Sequence, residues 1–246
     1  MIRGIDPCYN GFRISLAYGI HGLAIFLVTA CAPYMRAPPV APEQVTPQAP
    51  VTELEGRPYD VVPAESLLVV LVYRGGALAR LGHNHVVASH DLTGRVFVPD
   101  DITRASFEIH VPVEKLTVDE EDLRVPEGKE FPPGVPESAK MSTRQNMLGP
   151  AVLDVNHFPE IVLESRHLEI DQNRLQAQVR VTLRDRVRLL IVPMQYVINK
   201  KELQVTGEIT LRQTDFGIQP FSTLAGAMQV QDELLVKFSV LARNQD

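Results

Sequence analysis

The sequence contains no tryptophan, two cysteines and only 6% aromatic residues. A carbohydrate platform or a base-stacking surface needs exposed aromatic rings, so this composition argues against both. Positive charge is in short supply as well: 24 Lys and Arg stand against 30 Asp and Glu, for a formal net charge of −6. A chain with that balance has no field to hold a polyanion, and nucleic acid is excluded as a partner. Two catalytic signatures are also missing. There is no Gly-x-Ser-x-Gly elbow for a hydrolase nucleophile and no His-Glu-x-x-His for a zinc protease, so the chain reads as a binding protein and not as an enzyme.

Long hydrophobic runs are lacking too. The best one, Ile14 to Ala30, is diluted by Ser15, Gly19, His21 and Gly22 and falls short of the roughly 20 apolar residues of a membrane-spanning helix. Preceded by Arg3 and Arg13, it has the form of a signal peptide over residues 1–30. It ends in Leu27-Val28-Thr29-Ala30-Cys31, which resembles the bacterial lipobox, so Cys31 is expected to be acylated and to become the mature N-terminus. One acyl chain gives only marginal membrane binding, whereas two or three on one cysteine make a stable anchor. Ala32 after the cysteine resembles the pattern for outer-membrane sorting. The expected location is therefore the periplasm, on an outer-membrane lipid anchor. Cys8 would leave with the leader, so the exported domain has no disulfide.

Residues 31–63 then form a lipidated cysteine and a tether rich in proline, with Pro33, Pro38, Pro39, Pro42, Pro47, Pro50, Pro58 and Pro63 blocking helix and interior strand alike. Residues 64–246 are assigned to one domain. Its dominant pattern has period 2: Leu175, Ala177, Val179, Val181 and Leu183 alternate with Gln176, Gln178, Arg180 and Thr182. The pattern recurs at Leu203, Val205, Gly207, Ile209 and Leu211, at Leu234, Val236, Phe238, Val240 and Ala242, and at Phe107, Ile109 and Val111. Ser66 to Tyr73 and Val187 to Val197 are partly apolar on both faces, which leaves open whether another element covers them or they lie at a seam. Turn residues separate these runs, as at Asp91-Leu92-Thr93-Gly94, Arg184-Asp185-Arg186 and Asn199-Lys200-Lys201. Short, evenly spaced strands joined in this way make an all-β antiparallel sandwich or barrel. One short helix is expected from Glu137 or Ser138, after Pro136, to Gly149-Pro150, and a long Pro-rich loop, Val125 to Pro136, precedes it.

Three ordered stretches resemble the YceI-like family. The first is Leu81-Gly82-His83-Asn84-His85-Val86 followed by Asp91-Leu92-Thr93-Gly94-Arg95-Val96-Phe97. The second is Thr143-Arg144-Gln145-Asn146-Met147-Leu148 with Phe158-Pro159-Glu160-Ile161, and the third is Gly207-Glu208-Ile209-Thr210-Leu211 with Asp215-Phe216-Gly217-Ile218. The resemblance implies a lipocalin-like antiparallel β-barrel of about eight strands. It also implies a long-chain apolar ligand of polyisoprenoid, isoprenoid quinone or fatty-acyl type. On that reading the inward faces line a tunnel through Phe107, Ile109, Val179, Val181, Ile209, Phe238 and Val240, with Phe216, Phe221, Leu224 and Met228 near one end. The alternative is a structural or stress-related envelope module in which the same side chains fill a solid core.

His83, His85 and His90 form the sharpest polar cluster. Side chains at i and i+2 of a strand share a face, so His83 and His85 can reach one metal ion with His90 or Asp91 as third ligand. A lone His-x-His with no second ligand motif favours structural or headgroup-facing histidines, so no metal and no cofactor beyond a bound isoprenoid or other lipid is expected. The acidic run Asp119-Glu120-Glu121-Asp122 reads as a solvated loop, because four adjacent charges cannot all be desolvated. The oligomeric state, monomer or dimer, stays open.

Replacing Cys31 by serine should leave an uncleaved precursor that takes up no radiolabelled palmitate. Label incorporation equal to that of the wild type would remove the lipobox assignment.

Overall fold

The computed structural model describes residues 55–171 and 174–245. The expected leader, Cys31 and the tether as far as residue 54 lie outside the described residues.

Alternation becomes strand wherever one face can be buried. In β9 (Arg174–Leu183) the side chains of Leu175, Ala177, Val179 and Val181 are buried while Arg180 is exposed. In β5 (Ser106–Pro112) Ile109 and Val111 are buried and Glu108 points to solvent. The remaining segments are β1 (Arg57–Val61), β2 (Leu67–Gly75), β3 (His85–Ser89), β4 (Thr93–Val98), β6 (Thr117–Val118), β7 (Glu160–Ser165), β8 (Leu168–Asp171), β10 (Arg186–Ile198), β11 (Glu202–Arg212), β12 (Ser222–Thr223) and β13 (Met228–Arg243).

Several of these are halves of one bent strand. β1 and β2 both lie along β13, and on their other side they meet β4 and β3 respectively; β5 and β6 meet β4 and β3 in turn. β7 and β8 both pair with β9. The result is a closed antiparallel barrel of 8 strand positions, each paired with its neighbour in the chain, with β13 as the closing strand. β13 pairs with β11 from Arg243↔Glu202 to Glu233↔Arg212 along one edge, and with β2 and then β1 along the other. The expected all-β, lipocalin-like barrel with one short helix is the observed fold.

Register places the β9–β10 turn, the start of β7 and the end of β11 at one end of the barrel. The helix α2 (Glu137–Leu148) leads into β7 at that end. It begins after Pro136 and stops at Gly149, as expected, and Arg144 ties it down by donating to the carbonyls of Leu116 (3.1 Å) and Glu114 (2.5 Å).

Three sequence expectations are corrected. The barrel starts at β1, inside the stretch assigned to the tether: Tyr59 is buried and donates its hydroxyl to the Asn199 carbonyl at 2.9 Å, so the boundary at residue 63 falls too late. Pro58, inside this short strand, and Pro63, just after it, disguised it as linker.

The two strands apolar on both faces have different explanations. The outward residues Val69 and Leu71 of β2 are covered by the Pro-rich loop, whose Phe131 is 2% exposed and meets the ring of Tyr73 edge-on at 5.4 Å. On β10 the outward residues Val187, Leu189 and Ile191 are exposed, Leu189 by 65%.

The third correction concerns the acidic run. Asp119 is buried, 1% exposed, and so is Arg124 at the end of α1 (Glu121–Arg124). Arg124 donates to the Asp119 carboxylate through Nη1, to the Asn84 carbonyl (2.8 Å) and to the Pro132 carbonyl (3.0 Å). Asn84 in turn accepts from the Arg74 backbone N–H at 2.9 Å and donates to the Glu130 carbonyl at 3.1 Å. The desolvation objection holds for unpaired charges, and here the one buried carboxylate of the four, Asp119, is paired with Arg124 while the others stay nearer solvent. This network pins the loop to the outside of β2.

Arg124→Met, which keeps much of the side-chain volume but leaves Asp119 without its cation, should cost about 3–5 kcal/mol in urea unfolding. A loss under about 1 kcal/mol would mean the ion pair does not hold the loop.

Candidate functional site

The inward residues of the barrel do not meet in the middle. They enclose a cavity of about 380 Å³, within the range of small-molecule pockets and large for an accidental packing defect. Its walls are aliphatic and aromatic, and the polar residues among them are His85, Thr143, Asn146 and Gln213. Among the described residues no Asp, Glu, Lys or Arg lines it. Gln213 is already committed, donating to the Gln231 carbonyl at 2.8 Å.

Most of the residues expected from the sequence are brought together here. Phe107, Ile109, Val179 and Val181 come from β5 and β9, and Ile209, Phe238 and Val240 from β11 and β13. Phe216 and Phe221, from the segment after β11, close the end that Met147 and Asn146 of α2 also cover. Leu224 and Met228 are not part of the wall. Leu224 is 64% exposed with φ 50°, on a chain reversal outside the barrel mouth, and Met228 opens β13 opposite Thr223. Their apolar character gave no means of telling a rim from a lining.

Sequence reasoning missed the contributions of β2 (Leu68, Val70, Val72) and β10 (Leu190, Val192, Met194). Both strands carry apolar residues on both faces, so alternation there had no contrast from which to tell inside from outside. Gly207 contributes by having no side chain. It faces Phe238 in register, and a Cβ there would come within 2.5 Å of the Phe238 ring. The ring therefore lies across the glycine.

At the rim of this cavity stands a compact polar group. His83 Nε2 lies 3.8 Å and His85 Nδ1 2.8 Å from Asp119 Oδ2, and the two imidazoles meet edge-on with centroids 4.5 Å apart. The other carboxylate oxygen, Oδ1, accepts from the Val86 backbone N–H (2.9 Å) and from Arg124. Burial by itself would raise the Asp119 carboxyl, but hydrogen bonds from His85 and Val86 and the charges of His85 and Arg124 hold it below the usual carboxylate range. Burial, reinforced by the neighbouring His85, lowers His83 below the ordinary imidazole value. His90 is not in this group; it pairs with Glu120 at 3.0 Å on the surface. Nor is Asp91, the other third ligand considered from the sequence, which is replaced by Asp119, 34 residues from His85.

Comparisons with known proteins agree with this architecture. The chain is similar over 74% of its length, and 99% of the other chain, to the crystal structure of Burkholderia cenocepacia BcnA, with a TM-score of 0.56 and 14% identity. It is similar over 76% of its length, and 98% of the other, to a polyisoprenoid binding domain from Saccharophagus degradans implicated in plant cell wall breakdown, with a TM-score of 0.50 and 7% identity. At such identities the likeness speaks for the fold. No curated protein matches the sequence. The model of the YceI-like domain, however, matches residues 59–242, from the first barrel strand to the last. The chain belongs to the YceI-like family.

Proposed function

We propose that this domain binds a long-chain apolar molecule of polyisoprenoid, isoprenoid quinone or fatty-acyl type inside the barrel, sequestering or carrying it in the cell envelope. The observation that carries the reading is the cavity of about 380 Å³, whose wall holds no Asp, Glu, Lys or Arg among the described residues. A solid structural barrel would have filled that space, because an unfilled apolar cavity forfeits packing contacts on every side. The Saccharophagus degradans domain of the same fold is described as polyisoprenoid binding, which supports the ligand class.

The dimensions refine the proposal. At roughly 30 Å³ per water-sized group, the cavity takes about a dozen carbon groups. Burying that many contributes on the order of 10 kcal/mol before ordering costs, at about 0.8 kcal/mol per CH₂. A single acyl tail fits within it. A longer polyisoprenoid would run out between α2 and the segment bearing Phe216 and Phe221.

Binding of this kind calls for no catalytic group, and we assign none. The lipid anchor at Cys31 and the Pro-rich segment up to β1 would complete the device by tethering the barrel near an outer-membrane source of lipid.

Natively purified protein extracted with organic solvent should release an apolar molecule in near-equimolar amount, identifiable by mass spectrometry. Ile209→Trp, which projects bulk into the cavity from a partly buried position, should cut that amount at least severalfold while leaving the fold intact by circular dichroism. An empty wild-type extract would sink the proposal.

A further inference from the structure

From the cluster at the rim we infer a second site: His83, His85 and Asp119 form a binding site for a divalent first-row transition ion of the zinc class. Three observations converge on it.

The ligand set is suitable. Two imidazole nitrogens and a carboxylate oxygen are donors that zinc-class ions take, and one atom from each residue lies within 4.8 Å of the others. Around a tetrahedral ion with bonds of about 2.0–2.1 Å, ligand atoms stand roughly 3.3 Å apart. The separations from Asp119 Oδ2, 2.8 Å to His85 Nδ1 and 3.8 Å to His83 Nε2, bracket that value. Shifts of about half an ångström would bring both of these pairs to that spacing, and the two imidazole donors lie within 4.8 Å of each other.

One ligand is otherwise unexplained. His83 Nε2 is a buried atom with no hydrogen-bond partner among the described residues. Its distance of 3.8 Å from Asp119 Oδ2 is too long for a hydrogen bond and too short for a bridging water in line. A shared ion would give His83 Nε2 the partner it lacks.

The surroundings orient the ligands. Arg124 and the Val86 N–H bond the far oxygen, Oδ1, and so aim Oδ2 at the two imidazoles. The Arg124 charge weakens affinity for a cation but does not occupy the position. On binding, the ion would replace the proton shared between His85 and Asp119, which is released to solvent. Three protein ligands leave a fourth position for water or another small donor. The site does not depend on the barrel holding lipid.

The test uses the full chain in detergent, stripped with a chelator and titrated with Zn²⁺ against a chromophoric competitor. One equivalent should bind, and Co²⁺ in its place should give the intense visible bands of four-coordinate cobalt without a thiolate charge-transfer band. His83→Ala, at a half-buried position outside the core clusters, should fold normally and bind about tenfold or more weakly. His90→Ala should bind as the wild type does. The assignment is overturned if the stripped protein takes up no Zn²⁺ at micromolar concentration, if His83→Ala binds undiminished, or if cobalt reports thiolate ligation, which would move the ion to Cys8 or Cys31.

Discussion

Everything in this molecule depends on one long strand being paired on both edges. β13 supplies the backbone partners for β11 on one side and for β2 and β1 on the other, so the sheet that begins at Arg57 returns upon itself. Closure removes the free edges that would otherwise template aggregation. It also makes the two faces of the sheet inequivalent: one side becomes an interior. Once β13 sits in register, Phe238 faces Gly207 and Leu68, and Val240 faces Val205. Every alternate residue around the ring then points inward.

An interior made this way is a packed core or a container according to side-chain volume. Here the wall is mostly Val, Leu and Ile, and the glycine opposite Phe238 lets that ring lie against the sheet instead of projecting further inward. The ends are treated differently. α2, roped to the carbonyls of Leu116 and Glu114 by Arg144, and the segment carrying Phe216 and Phe221 cover one end. Tyr59 and Asn199 tie the β10–β11 turn to the first strand towards the other.

The buried ion pair of Asp119 and Arg124 serves a separate purpose. Hydrophobic contact through Phe131 can hold the Pro-rich loop against β2 but does not specify its register; the hydrogen bonds of Arg124, Asn84 and Asp119, each with a particular carbonyl or N–H, do. A buried polar network tolerates few alternatives, because a mispaired member bears its full desolvation penalty. The same network turns Asp119 toward His83 and His85, so the device that fixes the loop also builds the rim cluster.

Local pattern was enough for the sequence to determine the strands of β5, β9, β11 and β13, the limits of α2 and the inward identity of residues such as Ile109, Val181 and Phe238. The strands rest on neighbours two or four positions away, where alternation of polar and apolar residues is unambiguous, and the helix limits on Pro136 and Gly149-Pro150. The ordered motifs added the family and, with it, the closed barrel. Tertiary structure alone decided the rest. That the apolar outer face of β2 is covered while that of β10 is exposed depends on where a loop distant in the chain lands, and Asp119 joins His85 across 34 residues of sequence. Whether inward residues touch across the barrel or leave a cavity depends on strand number and tilt, which no single strand encodes. Burial of one carboxylate in a run of four follows from where Arg124 lands, and only the folded chain brings that cation to it.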